Sequence, residues 1–303
     1  MNRRNIRIKV MQVLYMFETQ KQGSAAALLQ KEFDKTRSLF VFLVHLIHQV
    51  ALYAEVEAQQ RSAKNLPDQA DLTFNIKIAG NTVVWQTIES EQFKLAFEVV
   101  KPFQWIDKDL VKTLFRQLSE SNEYKTYILA ENRDLSKEKE ILKFIFGNII
   151  LGSENAKDYF DANFSNWEDD GDLVIGFILN YLQKPNNFEF YDLVGTEKLK
   201  FANDLLQTAI DKKAITEEII KPKLNNWDPE RIAMIDMILL RLGVCELLYF
   251  DTIPTKVTIN EYIDLAKDYS TEQSGNFVNG ILDSIHKELV GNGRIQKINH
   301  KAK

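Results

Sequence analysis

Residues 228–250 read DPERIAMIDMILLRLGVCELLYF, and this stretch decides the fold. Asp228 stands where an N-cap belongs, Pro229 at the first helical position and Glu230 in an acidic first turn. Ile232, Ile235, Ile238, Leu239, Leu242, Val244, Leu247 and Leu248 then cover almost every side of the predicted helix. A helix that is apolar all round must be surrounded, so it predicts the centre of a bundle. Gly243 within it predicts close approach by a neighbour. Downstream, residues 255–268 follow Pro254 as an amphipathic helix, and Ser270 with Gln273 three places on reads as a capping-box start. Phe277, Val278, Ile281, Leu282, Ile285 and Leu289 keep helical spacing until Gly291.

Upstream the same periodicity recurs. Ile6, Val10, Val13, Leu14 and Phe17 form one helix face, while Arg3, Arg4, Arg7 and Lys9 crowd its first turns. Positive charge there opposes the helix dipole, so something other than local helix stability keeps it in place. A second helix is predicted over 25–63, after Gly23-Ser24, and further ones over 91–100, 107–120 and 136–151. The apolar run 39–54 is broken by His45, His48 and Gln49, and reads as too short and polar for a membrane span of ~20 residues. Residues 71–87 alone carry strand character, with Leu72, Phe74, Ile76 and Ile78 alternating before Gly80-Asn81, which predicts a hairpin. Glu168 to Asp172 reads as a solvated acidic loop. Residues 141–182 laid on 201–242 without a gap share Ile150/Ile210, the pairs Asn166-Trp167/Asn226-Trp227, Ile175/Ile235, Ile178/Ile238, Leu179/Leu239 and Leu182/Leu242. This echo is compatible with a degenerate duplication.

Composition agrees with an all-α chain. Six prolines and twelve glycines in 303 residues are about half the usual share, which argues against a turn-rich all-β fold. A net charge of −5 gives no global field for polyanions, so any nucleic-acid surface must be local. One cysteine, Cys245, excludes an internal disulfide framework and a multi-cysteine metal site. Cys245 lies in the most apolar helix and reads as a buried thiol, not a reactive one. His45 and His48 are one turn apart without an acidic third ligand nearby in sequence, which favours core packing over a metal site. No phosphate-cradling glycine loop occurs. These residues predict neither an enzyme nor a cofactor, and no secretory signal is evident, which makes the cytoplasm the expected location.

The segment Asp251-Thr-Ile-Pro254-Thr-Lys-Val257-Thr-Ile-Asn260-Glu261-Tyr-Ile-Asp-Leu-Ala266-Lys267, then Phe277-Val278-Asn279-Gly280-Ile281-Leu282, strongly resembles the signature of the NusB family. Ile238-Leu-Leu-Arg241-Leu-Gly-Val-Cys-Glu246-Leu is similar to the stretch that precedes it. The run from Arg3 to Tyr15 resembles the family's arginine-rich first helix. The likeness covers about residues 1–20 and 190–289, so the chain reads as an enlarged relative. Residues 1–30 and 188–290 are expected to form a NusB-like helical core, 31–187 an inserted or duplicated, mostly helical region, and 291–303 a basic flexible tail.

The resemblance implies two small helical bundles without catalysis. It also implies a transcription antitermination factor that binds single-stranded boxA RNA of leader and ribosomal-RNA transcripts jointly with the ribosomal protein NusE and joins elongating RNA polymerase. The candidate RNA-binding residues are Arg3, Arg4, Arg7 and Lys9, with Gln273, Asn276 and Phe277 at a helix start whose backbone N–H groups favour phosphate. Phe277 has two readings, a ring stacked on a base or a core residue. Tyr15, off the apolar stripe, and Asp236, a charge on an apolar helix, are implied partner contacts; an internal pair is the other reading of Asp236. Arg241 and Glu246 read as structural, because buried charges are paired. Two other classes stand beside this one. Some ribosomal-RNA cytosine methyltransferases carry a NusB-like domain, but their cofactor domain and catalytic cysteines have no counterpart here. A scaffold that binds protein and not RNA is the alternative.

Overall fold

The computed structural model describes residues 1–20, 23–224, 232–295 and 297. The chain begins with α1 (Arg3–Gln20), the long α2 (Ala25–Ser62) and a single turn, α3 (Gln69–Leu72). Next come α4 (Thr82–Glu89), α5 (Glu91–Val100), α6 (Lys108–Glu120), α7 (Asn122–Leu129) and α8 (Leu135–Phe144), the last continued by a π turn over Ile145–Ile150. α9 (Glu154–Asn163) and α10 (Trp167–Gln183) follow. The chain ends with α11 (Thr196–Asp211), α12 (Lys213–Ile220), α13 (Met234–Tyr249), α14 (Thr255–Tyr269) and α15 (Ser274–Gly291). Among the described residues there is no strand.

The chain divides into two compact units. One takes Met1–Phe33 with Val194–Lys303, the other Asp34–Leu193. In the first, α13 has the surrounded position its sequence predicts, with every side chain from Ile238 to Leu247 buried. Gly243 makes room for the packing: a Cβ there would stand 3.0 Å from Leu282 and 3.4 Å from Tyr262. The predicted start of this helix at Asp228 to Glu230 lies outside the described residues, as do Asn226 and Trp227 of the sequence echo. At that offset some element boundaries repeat and others do not: α10 shifted by 60 would end at residue 243, whereas α13 runs from Met234 to Tyr249. Shifted by 60, Leu135–Ile150 meets α11 and α9 meets α12 with the 3-10 turn Lys221–Lys223.

The second unit is built on α2. Its residues Leu39, Phe40, Val41, Phe42, Leu43 and Val44 are all fully enclosed, a run possible only where a helix is packed on every side. By length and composition α2 could cross a membrane, because the helix runs 38 residues and not the sixteen of its apolar run alone. Most of that apolar stretch is buried inside the protein.

Three expectations need correction. Residues 71–87 form no hairpin: the end of α3, a loop, a 3-10 turn over Lys77–Gly80 and most of α4 occupy them, and Asn81 caps α4, its Oδ1 accepting from the backbone N–H of Val83 at 3.0 Å and Val84 at 3.3 Å. The alternating residues do not share a buried face, since Leu72 and Ile76 are exposed and Ile78 is enclosed. The acidic run from Glu168 is the first turn of α10, where the helix dipole favours it; Asp170 is buried and accepts from Thr36 and Asn166. The capping box expected at Ser270 and Gln273 is replaced by Ser274, whose Oγ accepts from the Thr271 backbone N–H at 3.2 Å.

Candidate nucleic-acid interface

α1 starts without an acidic residue in its first turn. Asn2 and Asn5 cap it reciprocally instead, the Asn5 N–H donating to Asn2 Oδ1 at 2.9 Å and the Asn2 N–H to Asn5 Oδ1 at 3.4 Å. The basic residues of this helix point in different directions. Arg7 is 2% exposed and forks onto Glu246 of α13, Nε and Nη2 each donating at 2.8 Å. The Glu246 carboxylate also accepts from Thr258 at 2.7 Å and from Tyr262 at 3.2 Å, so all four of its lone-pair positions are occupied. Burial opposes the Arg7 charge, but the bonds to Glu246, with Tyr262 and Glu261 nearby, prevail and raise its pKa. Burial and the same carboxylate push the Tyr262 phenol well above its ordinary value. Lys9 is also enclosed, its Nζ 3.8 Å from Glu32.

The expected cluster of four surface cations is therefore corrected to two. Arg7 and Lys9 are interior groups, and the tertiary ion pairs explain why α1 tolerates charge that opposes its dipole. Arg3 is exposed, with its guanidinium 5.4 Å from the Phe201 ring centre. Arg4 is partly exposed and shared between two carboxylates of α14, Asp268 at 2.7 Å and Glu261 at 3.7 Å. These acids lie two turns apart on one helix face, a spacing visible in the sequence that could have announced a cationic neighbour.

The second candidate element, the turn into α15, is close by. Asp268, which holds Arg4, precedes Gln273 by five residues. Gln273 and Asn276 are exposed at the start of α15. Phe277 is 5% exposed within the core of the first unit, which settles its packing role and corrects the stacking one. Asp236 is corrected likewise. At 5% exposure it does not present a charge outward; its Oδ2 accepts from Ser274 at 2.8 Å and thereby anchors the turn. That carboxylate at the first residue of α15 makes the helix start a poorer phosphate cradle than its sequence implies. The Ser274 hydroxyl, which the sequence offers beside Gln273 and Asn276 as a contact for RNA, is instead spent on Asp236.

Tyr15 is 42% exposed, off the apolar stripe as predicted. Arg241 and Glu246 are structural, as predicted: Arg241 bonds Glu18 and donates to the Ala209 carbonyl at 3.3 Å. Cys245 is fully enclosed, and burial pushes its thiol up to about 12. Lys297, in the tail expected to be loose, donates to the carbonyls of Glu246 at 2.8 Å and Phe250 at 2.7 Å, closing the end of α13.

The model of the NusB family matches residues 159–287. Transcription antitermination protein NusB of Listeria monocytogenes is 38% identical over 97 residues, 32% of this chain and 76% of that protein. The chain belongs to the NusB family. The Salinibacter ruber protein of the same name is 43% identical over 97 residues, and the chain spans 61% of its length. A solved structure of T. maritima NusB is 36% identical, covering 36% of this chain and 75% of that one with a TM-score of 0.30. The NusB match begins inside α9, within the region that the sequence alone marks as added.

Proposed function

We propose that this chain is a transcription antitermination factor that binds single-stranded, boxA-like RNA of ribosomal-RNA transcripts together with NusE and acts on elongating RNA polymerase in the cytoplasm. The observation that carries the reading is the Arg4–Asp268 pair, which sets the start of α1 beside the end of α14 just before the turn into α15, in a chain of the NusB family. Arg3 and Arg4 supply guanidinium forks for phosphate or unpaired bases, and Gln273 and Asn276 supply amides. Tyr15 offers an exposed ring to the protein partner. The task is binding, and none of the groups named here needs to do chemistry.

Titration of a labelled boxA-like RNA, with and without NusE, tests the proposal. Arg3→Ala with Arg4→Ala is expected to weaken binding and flatten the log–log salt slope by about 0.7 for each phosphate no longer neutralised. RNA affinity unchanged by this double substitution overturns the assignment of the face. Because Asp268 competes with phosphate for Arg4, Asp268→Asn is expected to tighten RNA binding. The second reading, a scaffold that binds protein alone, draws support from the interior placement of Arg7 and Lys9. Saturable binding of NusE with no RNA binding at low salt would favour it.

A further inference from the structure

α5 keeps apolar side chains on both of its sides. The inner side buries Phe93, Ala96 and Val100 in the core of the second unit. On the outer side Leu95 and Val99, one turn apart, are 46% and 54% exposed. Just past the helix Lys101 adopts the left-handed conformation, φ 54°, and the chain turns so that Phe103 lays its ring 6.1 Å from that of Phe97 while staying 58% exposed. Single exposed apolar residues are ordinary, but a row of three on one short element points to an association surface.

The charges beside the row indicate what covers it. Glu91, Lys94 and Glu98 run along one flank of α5 and Lys101 stands at its end, all four exposed. Lys94 Nζ is 2.9 Å from Glu91, a solvated pair that holds neither group firmly. The four signs alternate and are antisymmetric about Ala96. Reversing the chain direction there exchanges 91 with 101 and 94 with 98, so that every charge faces its opposite. A second α5 lying antiparallel therefore supplies the complement residue by residue. A two-fold axis between the helices also keeps their charged flanks on the same side. In that register Leu95 lies about 3 Å along the helix axis from the Leu95 and from the Val99 of the other copy, at 1.5 Å of rise per residue.

We infer that the outer face of α5 is a self-association surface, on which a second copy of this chain docks antiparallel. Leu95 and Val99 form its centre, and Lys94–Glu98 and Glu91–Lys101 pairs link the copies. No residue of the proposed RNA face takes part.

Sedimentation velocity of the full chain tests this. One short helix from each copy makes a small, weak interface, so the concentration should run from about 10 µM to about 1 mM, and a concentration-dependent dimer is expected. Lys94→Glu and Glu98→Lys should each weaken it about five- to tenfold, because two attractive pairs per dimer become repulsive. Mixing these two variants should restore the dimer, since the reversed charges then face each other across the contact; damage within a helix could not be repaired by mixing. Leu95→Glu, at an exposed position, should abolish the dimer and leave the circular dichroism unchanged. A chain that stays monomeric throughout overturns the inference, as does a dimer indifferent to a folded Leu95→Glu or a mixture no stronger than its separate components. Should Leu95→Glu lose its fold, the mixing experiment still decides.

Discussion

Glu246 has no spare capacity: two bonds from Arg7 and one each from Thr258 and Tyr262 use every acceptor position it has. Removing either charge strands the other in the core, so Glu246→Leu or Arg7→Met alone should cost about 3–5 kcal/mol. The double substitution should cost well under the sum, because no buried charge remains; the two hydroxyls left without an acceptor hold it about 1–3 kcal/mol below the parent. A double-mutant cycle of urea midpoints measures this, and simple additivity would contradict it. The same residues show what the sequence of the site could reveal. A run of four cations in one helix is visible at a glance, and Glu246 in an apolar helix is visibly in need of a partner. That Arg7 is the partner depends on α1, α13 and α14 meeting in space, and no local pattern encodes a pair 239 residues apart. Which of the four cations stay at the surface is decided by where Glu246, Glu261 and Glu32 stand in the folded chain.

At the level of helices, legibility follows the strength of the period. α2, α5 and α14 start and stop within a residue or so of where apolar spacing puts them, because burial of a stripe and helix geometry demand the same pattern. The stretch around Asn81 misleads because four apolar residues alternate by accident of a loop, and the capping bonds that make α4 begin there involve Glu138, far along the chain. Packing also sets opposite outcomes for two helical glycines. At Gly176 of α10 an added Cβ would meet nothing within 4 Å, so Gly176→Ala should stabilise by about 0.8–1.0 kcal/mol through helix propensity. Gly243 faces fully buried Leu282 at 3.0 Å, and there Gly243→Ala should destabilise, overpacking of about 1–3 kcal/mol outweighing that gain. Thermal melts of the two variants should shift in opposite directions.

For the whole molecule, acid sensitivity should arise in the second unit. Burial holds His45 down to about 4, and burial with His45 close by holds His48 to about 3, while unfolded histidines titrate near 6.5. The unfolded chain thus takes up more protons once pH falls below 6.5. Stability is complete above that value and declines towards the folded-state values, with a slope approaching about 1.4 kcal/mol per pH unit for each histidine. Urea midpoints at pH 7.5, 6 and 5 measure the decline, and His45→Leu with His48→Phe should flatten it. Midpoints that stay constant across this range would contradict the burial argument. One architectural feature also governs events during synthesis. The first unit draws on both extremes of the chain, 1–33 and 194–303, whereas the second is continuous. As the polypeptide leaves the ribosome, α1 emerges with its greasy stripe and its arginine bare, while the middle segment already has everything required to collapse on itself. α1 must wait for α11 and α13 before it can dock, so residues 34–193 can close first and α1 settles only once its partners have followed them out.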